Sequence, residues 1–180
     1  MIIEPTQAFR AAEYQVKFAT CPWEKDRAHT LRRAVFCEEQ GIFHGDDHDA
    51  IDEVAIPIVA LSMLGVVADD VVGAVRIHQP EPGVWWGSRL AVHRDYRKIG
   101  ALGATLIRLA VCSAHAMGAH IFLAHVQAQN ELLFRRLHWR VLDEVDIHGK
   151  PHLRMQADLA HYPPCFSPQT GFIALPRKAA

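Results

Sequence analysis

A basic, glycine-bearing stretch, Arg97-Lys98-Ile99-Gly100-Ala101-Leu102-Gly103, joins an apolar strand-like run (Leu90-Ala91-Val92) to a long apolar helix expected over residues 104–117. The chemistry such a junction offers is anion binding. A helix start carries unpaired backbone N–H groups and a positive partial charge, glycines let the main chain approach a phosphate, and basic side chains flank it. Ordinary strand-to-helix turns also contain glycines, so the two here do not settle the matter by themselves.

Twelve histidines raise a second possibility, a metal centre. His44 and His48, with Asp46, Asp47 and Asp49 close by, share an i,i+4 spacing, as do His148 and His152. That spacing aligns two ligands only on a helix. Gly45 and the aspartates make the first segment a loop, and Gly149 with Pro151 makes the second a turn, so both read as solvated and no metal is expected. Trp85 and Trp86 are adjacent on an expected strand and should present one ring to each face, one toward a pocket and one toward the core.

Composition narrows the function classes. The chain has 180 residues, half of them apolar, and a net charge of −1, which suits one domain with a real core. Without a clustered basic face, no nucleic-acid partner is expected. Cys21, Cys37, Cys112 and Cys165 show no CxxC spacing, and the N-terminus lacks a secretory pattern, so a reduced, cytoplasmic protein is expected. The longest apolar run, residues 54–68, is broken by Pro57, Ser62 and Gly65 and falls short of the ~20 residues a span requires, so no membrane partner is expected. The domain is read as residues 1–180, with an N-terminal extension over 1–13 and an irregular tail over 162–180.

The elements that must hold these groups follow from periodicity. Residues 14–19 alternate as a half-buried strand. Asp26 is placed to cap a helix carrying Ala28, Leu31 and Val35 and stopping at Gly41. An acidic loop, 44–53, precedes two strands, 56–67 and 71–78, with a turn at Asp69-Asp70, and a third strand covers 84–92. The apolar helix ends at Gly118. A strand over 121–126, a short helix capped by Asn130 and bearing Leu133, Phe134 and Leu137, and strands over 141–147 and 153–157 around Gly149-Lys150 complete an α/β order with a mixed, mostly antiparallel sheet.

Two further stretches, Leu31-Arg32-Arg33-Ala34-Val35-Phe36-Cys37-Glu38-Glu39-Gln40-Gly41 and Gly149-Lys150-Pro151-His152, accompany the glycine loop in this order. Together, over roughly residues 14–158, the pattern resembles the Gcn5-related N-acetyltransferase (GNAT) superfamily, and is similar to its small bacterial members, including a nitrogen-starvation-associated branch. The resemblance implies a central sheet flanked by helices, with acetyl-CoA as co-substrate at the strand-loop-helix junction. It also implies a small-molecule amine as partner. By resemblance, Leu90, Ala91 and Val92 offer main-chain hydrogen bonds to pantetheine. The loop fits the family pattern in two registers, one using Arg97 and Gly100 and one using Gly103. The whole span Arg97, Lys98, Ile99, Gly100, Ala101, Leu102, Gly103 and Ala104 is therefore assigned to the cofactor, together with Asn130 and Phe134. Relatives often place at the position of Phe134 a tyrosine that protonates the departing thiolate, and phenylalanine cannot.

Direct attack by an amine needs a base. The candidates are Glu39, Glu53, His78 and His125, with Glu39 preferred because relatives shape the acceptor pocket at the end of the first helix, and His125 next because imidazole titrates near neutrality. Three functions compete: acyl transfer from CoA to a small amine, a non-catalytic acyl-CoA-binding or sensor module suggested by Phe134, and acyl-homoserine-lactone synthesis, whose enzymes resemble this fold. Exposed C-terminal strands are expected to pair two copies into a homodimer.

Overall fold

The computed structural model describes residues 11–99 and 101–176. In chain order the elements are β1 (Tyr14–Phe18), α1 (Pro22–Arg33), β2 (Ile56–Leu64), β3 (Val67–Glu81), β4 (Val84–Val92), α2 (Leu102–Ala116), β5 (Ile121–Gln127), α3 (Glu131–Arg136), β6 (Trp139–Ile147), β7 (Lys150–Ala157) and β8 (Phe172–Ala174). The strands form one sheet in the order β6-β7-β5-β4-β3-β2-β1-β8. β4 and β5 run parallel and the other described pairs are antiparallel, so the expected mixed, mostly antiparallel sheet is the one observed.

Each face of the sheet carries its own apolar cluster. α2 packs Leu102, Leu106, Leu109 and Ala110 against Val16, Ile58, Trp85 and Phe122. On the other face, Ala28, Leu31, Val35 and Phe36 cover Val59, Leu61, Ala74 and Ala91. Trp85 is buried in the first cluster while Trp86 points the opposite way, the alternation that strand geometry requires.

Local chemistry moves several boundaries from their expected places. α1 begins at Pro22, not at Asp26, because Glu24 accepts the N–H groups of Thr20 and Cys21 at 2.7 and 3.0 Å and holds Lys17 of β1 at 2.8 Å in a buried pair. It then widens into a π-helical turn, Ala34–Glu39, in which the Gln40 N–H donates to the Val35 carbonyl, and Gly41 ends it at φ 61°. The β2–β3 turn falls at Gly65-Val66 rather than Asp69-Asp70. Gly65 supplies the positive φ, and the Ser62 hydroxyl accepts the Asp70 N–H, which keeps the aspartates inside the ladder.

The tail is not irregular throughout. β8 pairs with β1, Pro168 accepts the Phe18 N–H, and Gln15 donates to the Thr170 carbonyl. Residues 1–10 of the expected N-terminal extension and 177–180 of the tail lie outside the described residues. Among the described residues no helix is long and apolar enough to cross a membrane.

Gly171 makes the docking of β8 possible: its φ is 65°, and an added Cβ would stand 1.8 Å from the Val16 carbonyl oxygen. Gly171→Ala should therefore lower the melting temperature in a calorimetric scan. Left-handed strain alone costs about 1–3 kcal/mol, at roughly 2–4 °C per kcal/mol for a chain of this size. An unchanged melting temperature would contradict the docked tail.

Candidate active site

β4 and β5 stay in register from Val84 opposite Ile121 to Gly87 opposite Ala124, and no further. The cause lies in β4. Between Ser88, which pairs with Arg76, and Ala91, which pairs with Ala74, the strand holds one more residue than β3 does. Arg89 sits in this bulge at φ 56°, a left-handed conformation that non-glycine residues rarely adopt. Past the bulge β4 leaves β5, and a cavity of about 490 Å³ opens on the α1 side. A smaller one, about 60 Å³, lies on the α2 side and shares Gly87, Leu90, His125 and Phe134 with it. The gap therefore reaches both faces of the sheet.

Three arginines and three aspartates form one wall. Arg32 donates through Nε to Asp47 at 2.8 Å and through both terminal nitrogens to Asp52 at 2.6 and 3.1 Å. Arg76 grips Asp49 with both terminal nitrogens, at 2.7 and 2.8 Å, reaches Asp52 at 2.6 Å, and donates Nε to Ser88. Arg89 binds the carbonyl and Oδ2 of Asp47 and one oxygen of Asp49, and stacks on the Phe43 ring at 4.3 Å. Asp47 is wholly buried. The loop expected to be solvated is so only in part: His44, Asp46, His48 and Glu53 are exposed, whereas Asp47, Asp49 and Asp52 turn inward onto arginines of α1, β3 and β4.

Burial would raise the Asp52 carboxyl pKa, but hydrogen bonds from Arg32, Arg76 and the Asp49 N–H outweigh it and hold the group far below the usual carboxylate range. Asp49 is lowered chiefly by its hydrogen bond from Arg76.

An aromatic and imidazole shelf forms the floor. Trp86 stands opposite His78 on β3 and packs against His125 on β5, with ring centroids 4.8 Å apart. Desolvation lowers both imidazole pKa values, reinforced by Arg76 for His78 and by His152 and Arg154 for His125, so both are uncharged near neutral pH. The Nδ1 of His78 is buried without a hydrogen-bond partner among the described residues. The β6–β7 hairpin leans over this shelf through a two-residue turn, His148-Gly149, both at positive φ, and the His148 ring meets Phe43 at 5.1 Å. Lys150 donates to the Gln40 carbonyl and Gln127 to the Gln40 side chain, tying hairpin and β5 to the end of the first helix.

The residues singled out from sequence fall into three groups. Leu90, His78, His125, Asn130 and Phe134 line the larger cavity. Glu39 and Glu53 do not: Glu53 faces solvent, and Glu39 holds Arg97 through both carboxylate oxygens at 2.5 and 2.8 Å, a contact that lowers its pKa. Arg97 also donates to the Val92 carbonyl, Ala91 is buried under α1, Lys98 is exposed and Ile99 packs on the core.

Ala101 precedes α2 at φ 51°, and no side chain caps the helix. Leu102, Gly103 and Ala104 are its first residues. Leu102 is buried, and a Cβ on Gly103 would meet only Val92, at 3.9 Å, so packing does not demand glycine there. Gly100 lies outside the described residues. His152, read as a solvated turn residue, is buried in the cavity wall, with Nδ1 at 2.9 Å from the Lys150 carbonyl. Sequence reasoning missed Arg76 and Arg89. The only hint was a buried-strand pattern interrupted by arginine at two places.

Residues 19–138 match the profile of the Acetyltransferase (GNAT) family. Among solved structures the chain is similar to a Lactobacillus plantarum protein assigned as an N-acetyltransferase, at 22% identity over 80% of this chain and 97% of that one, with a TM-score of 0.71. It is similar also to Escherichia coli ElaA, at 18% identity over 81% and 98% of the two chains and a TM-score of 0.67. A third is BjaI, a CoA-dependent acyl-homoserine lactone synthase with SAM and isopentyl-CoA, at 18% identity over 88% and 94%, TM-score 0.67. At such identities the likeness establishes the fold. No curated protein matches the sequence significantly.

The ion lattice makes stability depend on acid. Asp49 and Asp52 titrate lower in the folded than in the unfolded chain, so their contribution is complete above about pH 4 and is lost as pH falls through the folded values. Asp52→Asn should cost about 1.5–3 kcal/mol at pH 7 in urea unfolding. It should also flatten the fall in stability between about pH 5 and 2. Parallel pH curves for the two proteins would contradict this assignment.

Proposed function

The chain belongs to the Acetyltransferase (GNAT) family, and from that premise we propose that it moves an acetyl or other short acyl group from CoA to the amine of a small molecule, by direct attack in a ternary complex. The observation that carries this reading is the separation of β4 from β5 after Gly87, with a cavity in the gap. α2, the helix that follows β4, starts without a side-chain cap.

Each part of the site has a task in that reaction. The first N–H groups of α2 and the exposed Lys98 suit a diphosphate, and Gly103 leaves room for it that no internal packing claims. The Leu90–Val92 stretch of β4, free of β5, offers main-chain groups to an amide-bearing arm and an N–H to a carbonyl oxygen gaining charge. CoA supplies the thioester. His125 or His78, uncharged at neutral pH and facing the cavity, accepts the proton of the attacking amine directly or through water. Phe134 at the gap donates no proton, and a thiol with an ordinary pKa near 8.5 leaves adequately without an acid.

A second reading, acyl-homoserine-lactone synthesis, is favoured by the 88% of this chain that aligns with BjaI. It requires release of 5′-methylthioadenosine from S-adenosylmethionine, and its absence with acyl-CoA or acyl-carrier donors removes it. A sensor would bind CoA yet turn over no amine.

Calorimetry with acetyl-CoA tests the leading reading first: saturable binding is expected, and none up to millimolar ligand would sink it. Gly103→Ala should raise stability by about 0.4–1 kcal/mol while weakening acetyl-CoA binding about tenfold or more. Equal affinity in both proteins would remove the loop from the cofactor site. For the chemistry, kcat/KM should climb with pH through an apparent pKa below the ordinary 6.5 of imidazole, because the protonated base is inactive. If His125 is the base, His125→Gln abolishes that limb. A surviving limb transfers the role to His78.

A further inference from the structure

In the arginine–aspartate lattice two atoms lack a hydrogen-bond partner among the described residues, the buried Asp47 Oδ1 and the Arg89 Nη1, and of these the Arg89 atom belongs to a residue that lines the cavity. All three nitrogens of Arg32 are spent on Asp47 and Asp52, and all three of Arg76 on Ser88, Asp49 and Asp52. Arg89 uses Nε and Nη2 on Asp47 and Asp49, and its Nη1 has no hydrogen-bond partner among the described residues. Its side chain is 17% exposed against 2% for Arg76, and it lines the cavity. The Phe43 ring covers one guanidinium face and Nε and Nη2 are taken, so Nη1 is what remains, a charged donor suited to one oxygen of a carboxylate.

Backbone strain serves the same end. Ser88, Arg89 and Leu90 line both this cavity and the smaller one behind it, so the gap opens to both faces of the sheet at the bulge. The left-handed bulge at Arg89 brings this about, and such strain persists where surrounding contacts fix it. Among the described residues the one carboxylate lining the cavity, Asp49, is already shared by two arginines, so a second cationic group on the substrate finds no free anion there. Phe36, Ile42, Ile51 and Trp86 supply apolar surface at this end of the cavity, beside a polar shelf of His78, His125, Gln127 and Asn130.

We propose that the acceptor is an amino acid with a bulky apolar side chain, its carboxylate held by Nη1 of Arg89 while its amine attacks the thioester. This rests on the acyl-transfer reading above. In the reaction the amine nitrogen bonds to the acyl carbon, the carbon–sulfur bond breaks, and the proton lost from nitrogen ends on the CoA thiolate through the imidazole or water.

Matched substrates test this without altering the protein. CoA release is measured with leucine against 3-methylbutylamine and with phenylalanine against 2-phenylethylamine, pairs that differ by the carboxylate alone. The acids should show kcat/KM about tenfold or more above the amines. Arg89→Gln should bring that ratio close to one, and Arg89→Lys should keep part of it. In parallel, thermal shift in the presence of CoA should detect the acids and not the amines. Equal or better use of the decarboxylated amines overturns the proposal and leaves acyl transfer standing. Acetyl-CoA binding with neither member of a pair bound or consumed overturns it as well. Failure to bind acetyl-CoA removes the parent reading, and this one with it.

Discussion

A parallel strand pair that cannot continue is the constraint around which this molecule is arranged. β4 leaves β5 after four matched residues because Arg89 takes a left-handed conformation and inserts a bulge. Main-chain groups from Ser88 onward then lack a strand on that side. Buried N–H and C=O groups need partners, and at Val92 the Arg97 guanidinium provides one for the carbonyl. A peptide-like ligand arm lying in the gap would supply others. Binding there and completing the sheet are then the same physical event.

Such a bulge has to be held, and the arginine–aspartate lattice holds it. Arg89 is clamped between Asp47, Asp49 and the Phe43 ring, while Asp47 and Asp52 are in turn fixed by Arg32 from α1 and by Arg76 from β3. Buried ion pairs of this kind contribute little net stability once desolvation is counted. Their value here is geometric, because they set the height of the acidic loop over the sheet and with it the shape of the cavity. The inward turn of Asp47, Asp49 and Asp52 also explains part of the loop's charge, the rest of which, Asp46 and Glu53, faces solvent.

The sheet was legible in the sequence wherever periodicity is local. The Trp85-Trp86 alternation, the apolar helix before Gly118 and the hairpin near Gly149 each announce themselves within a few residues. Failures came where a partner far along the chain decides. Asp26 looked like a cap because nothing nearby shows that Glu24 is bound by Lys17. Asp69-Asp70 looked like a turn because Ser62, their ladder partner, lies seven and eight residues back. Residues 172–174 looked irregular because their strand exists only by pairing with β1 across the chain.

The site shows the same division. Leu90, His125, Asn130 and Phe134 were legible because they sit on elements whose order the sequence fixes in space, whereas Arg76 and Arg89 became visible only when β3 and β4 met the acidic loop. Glu39 is the instructive case. Its position at the end of the first helix is as expected, yet both carboxylate oxygens bind Arg97, its pKa is lowered, and it does not line the cavity. The nearby imidazoles have the opposite properties: desolvation keeps them neutral, and His78 retains a buried nitrogen without a partner. A base must be unprotonated and unoccupied at working pH. By that requirement the imidazoles around Trp86 suit the proposed proton acceptance, while Glu39 holds Arg97 beside the start of α2.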